Sequence, residues 1–362
     1  MKIFYDHTVF AHQKYGGIAR YFCELFKNIP EENWYLSVWL SNNQYLNDYN
    51  IKKTIKFFPK KTFRGQGRIQ TELGLPYTML KLNSVKWNVF HPTLFPAKYN
   101  NIIPKNKPMV ITAHDVLHYL FHKKSSRRDW MVNMDIKACQ RADKIIAISE
   151  STKKDYIEYY GADEKKIKVI YHGIMRKMYD NLDERLEPNP YILFVGLRQD
   201  YKNFSRFAKA FSIISGIFKD LRLVCTGFPF KKEEMDELEA LGIKEKTKLV
   251  FATDQQMAQL YYNAEMFVFP SVYEGFGRPI FEAMMYNCPV LLSDKSCFPE
   301  VAQSAGIYFN PYDIDDIANK MHMVLVDTAL REKYIKLGEE RVTHFTWDKC
   351  AKKHMEVYME FV

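Results

Sequence analysis

Short apolar runs ending in Gly, Asn or Asp alternate with stretches of helical periodicity along almost the whole chain. Runs of this kind predict strands at Ile3–Tyr5, Tyr35–Leu40, Val89–His91, Met109–Ala113, Lys144–Ile148 and Ile167–Ile170. A second set is predicted at Tyr191–Val195, Arg222–Thr226, Lys248–Phe251, Met266–Phe269, Pro289–Leu292 and Ile307–Phe309. Apolar residues three and four apart predict helices between most of them, among them Ile18–Asn28, Trp130–Gln140, Thr152–Tyr160, Ser205–Gly216 and Met257–Asn263. Such alternation marks an α/β fold with parallel sheets, since each crossover helix covers a sheet face. Two groups of strands predict two doubly wound domains. The polar, aperiodic segment Met175–Asn189, closing with Pro188 and Pro190, divides them into an N-terminal domain over 1–178 and a C-terminal domain over 188–346. The last stretch, 347–362, reads as an amphipathic helix through Cys350, Met355 and Tyr358 that packs back on the first domain.

The 362 residues suffice for two cores, and a composition 47% hydrophobic and 26% charged excludes a wholly disordered or fibrous chain. The formal charge of +9 is unevenly spread: residues 1–185 hold 31 Lys and Arg against 18 Asp and Glu, a balance of +13, and 186–362 hold 21 against 25, a balance of −4. A basic first half calls for nucleic acid, an anionic membrane surface or a phosphorylated substrate. No helix-turn-helix, zinc-finger or RNP-like pattern supports nucleic acid. No apolar run reaches the roughly 18 residues of a membrane-spanning helix. The opening MKIFYDHTVF carries Asp6 and no cleavage site, so it reads as a first strand and not as a signal peptide. Six scattered cysteines without a C-x-x-C pair fit a reduced, cytosolic setting better than zinc or disulfides. There is no Walker A sequence, and Gly65-x-Gly67 has Gln70 where a dinucleotide fingerprint needs its third Gly. Asp313-Ile314-Asp315 has the form of a metal-binding D-x-D. Its place just before Ile314, Ile317, Ala318 and Met321 reads instead as a helix cap.

The densest chemistry lies in FPSVYEGFGRPIFEAMMYNCPV, residues 269–290. A strand ends at Phe269, the loop Glu274-Gly275-Phe276-Gly277 follows, and a helix is predicted to begin with Pro279 in its first position. Strand–loop–helix geometry aims backbone N–H groups and the positive helix end at one point, which suits an anion. Glu274 in the loop and Glu282, expected in the first helical turn, add hydroxyl acceptors, so the pair suits a polyhydroxylated ligand carrying phosphate: a nucleotide sugar. The plainer alternative is that Glu282 complements the helix dipole and Glu274 caps the turn. A second element, Gly196 to Arg198 with Lys202, places two cations after a strand end, where they could clamp a diphosphate or form a solvated turn. A third is the pair Gly16-Gly17 opening the first long helix. A fourth is His114-Asp115 at a strand's C-terminal end, where ligands of open α/β sheets bind and where the pair could orient an acceptor hydroxyl or a sugar.

Taken in this order and spacing, these elements resemble the retaining glycosyltransferases of family four. The resemblance spans nearly the whole chain: GGIARY at 16–21, TAHD at 112–115, FVGLRQDYKN at 194–203, LVCTG at 223–227, PSVYEGFGRPIFEAM at 270–284 and FTW at 345–347. It implies a GT-B fold, two Rossmann-like domains facing across a donor and acceptor cleft, and no metal or other cofactor. It also implies that Glu274 contacts the donor sugar while the Phe276–Gly277 amides, with Gly275, approach sugar and phosphate. Glu282 would bind the ribose, Arg198 and Lys202 would neutralise the diphosphate, and Gly16, Gly17, Gly196 and Gly227 would allow its close approach. His114 and Asp115 would serve the acceptor side. The box departs from the usual EGFGLP or EGFGMP at Arg278, which adds a cation near donor or acceptor. Relatives with similar motifs often transfer mannose in bacterial polysaccharide or lipopolysaccharide synthesis, which favours GDP-mannose over a UDP-sugar. The basic, aromatic segments 51–71 and 117–130 are expected to touch an anionic membrane from its cytoplasmic side, matching a lipid-linked saccharide acceptor. The competing reading is an inactive nucleotide-sugar-binding or scaffold protein.

Overall fold

The computed structural model describes every residue from Met1 to Val362 except Thr62, His122, Lys123, Arg176, Lys177 and Gln199. Its chain forms two compact units, one of Met1–Gly173 with Thr346–Val362 and one of Ile174–Phe345.

In the first unit β1 (Ile3–Tyr5), β2 (Trp34–Leu36) and β3 (Val89–His91) form a parallel sheet in the order β2-β1-β3. A second parallel sheet, in the order β4-β5-β6, comprises β4 (Val110–Ala113), β5 (Lys144–Ala147) and β6 (Ile167–Val169). A single parallel bridge from Phe90 to Met109 links them. All three residues of β1 are buried, as expected for a strand covered on both faces. The strand expected over Tyr35–Leu40 is shorter. Ser37 still donates to the Tyr5 carbonyl at 3.0 Å, but Leu40 lies off the sheet and bridges Ile55.

The larger departure is in 51–71, whose end is not loop but the start of a helix, Gln66–Ser84. Its polarity is inverted. Gln70, Thr71, Gly74 and Thr78 face inward, while Ile69, Leu73, Met79 and Leu80 face solvent, so no amphipathic period betrays it. Gly67 and Gly74 are points of close packing here: a Cβ at Gly74 would lie 2.4 Å from the His7 ring.

The helix Trp347–Met359 packs on Gly17–Asn28, and Trp347, Cys350, Val357 and Tyr358 share a core with Tyr5, Phe22 and Phe26. A buried polar chain runs through this core. Tyr21 bonds His354 Nε2 (2.6 Å), the Tyr358 hydroxyl meets Tyr5 (2.9 Å) and His91 Nδ1 (2.7 Å), and His91 Nε2 reaches Thr112 (2.9 Å). Burial lowers the pKa of His354 and of His114 to about 4 and that of His91 well below its ordinary value. These imidazoles therefore bind protons less readily folded than unfolded, so their contribution is complete above about pH 6.5 and is lost as pH falls toward 4. The unfolding free energy from urea titration should fall between pH 7 and pH 4.5 by on the order of 2–3 kcal/mol for each of His354 and His114, with a further fall from His91. The variant His354→Gln should show a shallower slope over the same range.

The second unit holds β7 (Tyr191–Val195), β8 (Arg222–Thr226), β9 (Thr247–Val250), β10 (Met266–Phe269), β11 (Val290–Ser293) and β12 (Gly306–Phe309). They form one parallel sheet in the order β12-β11-β10-β7-β8-β9. Phe194, Phe207, Phe211, Val268 and Ile317 centre its core. This is the dinucleotide-fold strand order, and its direction reverses between β7 and β10.

Candidate functional site

The loops after β7 and β10 leave the sheet side by side at that reversal, where ligands of such folds bind. They are tied together. Val272 N donates to the Tyr201 carbonyl at 2.8 Å, and Asn203, itself at φ 56°, donates from Nδ2 to the carbonyls of Pro270 (3.2 Å) and Pro311 (2.7 Å). Between them Lys202 Nζ meets Glu274 Oε1 at 2.5 Å, with the two side chains only 14% and 15% exposed. The ammonium also lies 5.1 Å from the Phe269 ring centroid, a second attraction for the cation. Ser296, which gave no signal in the sequence, fixes the main chain of Glu274: its hydroxyl donates to the Glu274 carbonyl (2.7 Å) and accepts from its N–H (3.1 Å).

The helix after the loop is Arg278–Met285, capped by Gly277. Pro279 is thus its second residue, and Glu282, the fifth, begins the second turn instead of lying in the first. Gly277 sits at φ 76°, where a Cβ would come within 3.0 Å of both Ile280 and Phe298, so the turn is tighter than a first-position proline implies. Glu282 is held from two sides, by Arg278 Nη2 at 3.3 Å and by the Tyr261 hydroxyl at 3.4 Å. Burial, reinforced by the charge of Glu282, raises the Tyr261 pKa and keeps that hydroxyl a donor. Phe276 is buried and stacks on Phe281, leaving the loop its backbone to offer.

Arg198 does not join Lys202 at Glu274. Its guanidinium is folded against the loop after β8, donating from Nη2 to the carbonyls of Phe228 (2.5 Å) and Pro229 (3.0 Å). It stacks on Phe230 at 4.2 Å and pairs with Glu234 at 3.3 Å. Only 3% of the side chain is exposed, and Nη1 is buried with no hydrogen-bond partner among the described residues. Glu234 was not singled out in the sequence because it lies 36 residues from Arg198 in an ordinary charged helix, Lys232–Ala240. Gly196 and Gly227 close the ends of β7 and β8. Gly227, at φ 118°, would set a Cβ 2.6 Å from the Gly196 carbonyl oxygen.

Within the first unit, Gly16 is the cap of the helix Gly17–Asn28 and Gly17 its first residue. His114 and Asp115 follow β4. The Asp115 carboxylate accepts from Leu117 N at 3.0 Å, and His114 Nε2 is buried without a hydrogen-bond partner among the described residues. Asp313 caps the helix Ile314–Val326 by accepting from the N–H groups of Asp315 (3.0 Å) and Asp316 (3.1 Å).

The family described as Glycosyltransferase Family 4 matches residues 15–176, and that described as Glycosyl transferases group 1 matches 180–341. The chain belongs to glycosyltransferase family four. Among curated family members it is 28% identical over 218 residues to the O-antigen chain mannosyltransferase RfbU of Salmonella typhimurium, covering 59% of this chain and 60% of RfbU. It is 26% identical over 268 residues to the serotype-specific mannosyltransferase WbdA of Escherichia coli, covering 68% of this chain but only 33% of WbdA. The chain thus spans less than two thirds of RfbU and about one third of WbdA. Among solved structures, Anabaena HepE in complex with UDP and glucose superposes with a TM-score of 0.78 at 18% identity, over 99% of this chain and all of that one. A sucrose-phosphate synthase from Thermosynechococcus elongatus gives 0.76 at 18% identity, over 99% of this chain and 98% of its own. The two Rossmann-like units are those of the GT-B fold.

In this family-four chain the departure at Arg278 is spent on Glu282, four residues on along the same helix and partly exposed. Such a pair contributes little to stability, so Arg278→Leu should change the unfolding free energy from urea titration by no more than about 0.5 kcal/mol. A loss several times larger would show that Arg278 supports more than its helix neighbour.

Proposed function

We propose that the chain transfers a hexosyl group from a nucleoside-diphosphate sugar to a saccharide or lipid-linked saccharide acceptor in the assembly of a cell-surface polysaccharide. The observation that carries this reading is the meeting of Lys202 with Glu274 where β7 and β10 diverge: a cation for phosphate beside a carboxylate for sugar hydroxyls. Glu282, held by Arg278 and Tyr261 at the start of the next helical turn, would accept from ribose hydroxyls. Arg198 Nη1 retains an unused N–H, which a phosphate oxygen would satisfy at lower cost than leaving it buried and unpaired. The relatives named as mannosyltransferases favour GDP-mannose as donor, with a UDP-sugar as the alternative.

Charge develops on the departing diphosphate as the anomeric carbon gains oxocarbenium character. Lys202, Arg198 and the amides entering the helix Arg278–Met285 would stabilise it without a divalent metal. In our reading the reaction retains configuration by same-face substitution: the acceptor hydroxyl forms the new bond while the glycosyl–phosphate bond breaks, and its proton passes to the leaving phosphate oxygen. Lys202→Ala and Arg198→Ala should each slow turnover on the order of 10²-fold or more, with product anomeric configuration read by NMR and rates unchanged by a chelator. Near-normal rates in both variants would remove the assignment. A donor that binds, yet is neither transferred nor hydrolysed, would favour the inactive reading.

A peripheral membrane contact belongs to the same proposal. Phe58 and Phe63 are exposed beside Lys60, Lys61, Arg64 and Arg68, and the exposed row of Ile69, Leu73 and Leu80 continues from them. Apolar side chains ringed by cations suit an anionic bilayer. The segment 117–130 offers less: Arg128 is engaged with the carbonyl and ring of Tyr119, Lys123 lies outside the described residues, and Lys124 and Arg127 remain exposed. No helix among the described residues is long and apolar enough to cross a membrane. Co-sedimentation with phosphatidylglycerol vesicles should fall with salt and with Lys60, Lys61, Arg64 and Arg68 changed to Gln; equal binding to neutral vesicles would refute the contact.

A further inference from the structure

The first unit contains a cavity of about 130 Å³, at the carboxyl ends of β3 and β4, closed by one face of the helix Ser126–Arg141. At about 30 Å³ per water in the liquid the space holds roughly four waters, and a cavity of about 150 Å³ admits a six-membered ring, so a sugar ring can enter from the open side. Its walls combine two kinds of surface. Leu94, Trp130 and Met131 are apolar, and His114, Asp115 and Asp135 are polar. Trp130 and Met131 each have a partner four residues on, Met134 and Asp135, that also lines the space, so this helix presents indole, thioether and carboxyl to one pocket.

We infer that this cavity binds the acceptor as an uncharged pyranoside, with Trp130 stacking on the ring's C–H face and Asp135 accepting its hydroxyls, so that these two residues set acceptor choice. The inference rests on the glycosyltransferase reading above and extends it from donor to acceptor. Three observations support it. His114 lines the cavity, and its Nε2 is buried with no hydrogen-bond partner among the described residues; a ligand hydroxyl would supply one. His114 is kept neutral at pH 7 by burial, so it offers a hydrogen bond and not a charge. Burial, with the charge of Asp115 adding to it, raises the Asp135 pKa to about 7. Two carboxyl groups already share the pocket, and a phosphate or carboxylate on the ligand would bring a further negative charge into a partly desolvated site beside them. Hydroxyl groups carry no such penalty, and an exposed indole beside carboxyl acceptors offers both an apolar and a polar surface to a sugar.

The test uses the intact protein without donor and a panel of p-nitrophenyl glycosides: mannoside, glucoside, galactoside and N-acetylglucosaminide against glucuronide, with glucose 6-phosphate as a second anion. Calorimetry should show at least one neutral glycoside binding ten-fold or more tighter than either anion. Asp135→Asn and Trp130→Ala should each weaken that binding by about ten-fold or more, with Trp130→Phe restoring part of it, while GDP or UDP binds as to the unaltered protein. Anions binding as well as neutral sugars, no neutral glycoside binding, or both variants binding normally would overturn the inference. Loss of nucleotide binding in the unaltered protein would instead strike the donor reading, so the two failures are distinguishable.

Discussion

Everything at the donor-type site depends on β7 pairing in parallel with both β8 and β10. A parallel neighbour requires a crossover, and right-handed crossovers running to either side of β7 carry their helices to opposite faces of the sheet. The two chains therefore part at the carboxyl ends of β7 and β10, and no helix covers the point where they separate. The Val272–Tyr201 bond and the two Asn203 bonds hold that opening at fixed width. Lys202 and Glu274, 72 residues apart in sequence, meet there because of topology and not because of any local pattern.

The three cations of the site are each matched with a carboxylate, but the pairs are not equivalent. Arg198 is almost wholly buried and shares its charge among Glu234, two carbonyls and an aromatic face. Removing it strands Glu234 and the loop after β8, so it acts as a fixed positive wall. The Lys202–Glu274 pair is less deeply buried than Arg198 and rests on a single flexible ammonium, so it is the more readily rearranged of the two. The Arg278–Glu282 pair is more open still. A gradient from rigid to exchangeable charge is what a site needs if it is to position one end of an anionic ligand and let the other react.

Much of this was legible in the sequence. Fully buried parallel strands read as plain apolar runs, so β1, β3, β7, β8 and β10 stand where their residues predict, and the others differ only at their ends, apart from β2. Helix caps were legible too, as at Asp313. What sequence could not convey was long-range neighbourhood. Arg198 and Lys202 look like one clamp four residues apart, yet one turns to Glu234 and the other to Glu274. Ser296 and Tyr261 carry no local mark of their role. The helix Gln66–Ser84 escaped notice because periodicity arguments assume apolar residues point inward, and there they point out.

That inversion also changes what the uneven charge means. A balance of +13 over residues 1–185 is a property of the surface, and its field favours anions at distances up to about a Debye length. The cavity inside the same unit is lined by Asp115 and Asp135 and by a neutral histidine, so the local environment opposes anions where the net charge attracts them. The two tendencies act on different scales and do not cancel. If the pocket takes the acceptor, a ligand with an anionic anchor and an uncharged sugar end would satisfy both, the anchor at the basic, apolar face and the sugar in the pocket. On the acceptor proposal it is the acidic pocket within a basic half, more than the net charge itself, that would favour an uncharged sugar end over a phosphorylated one.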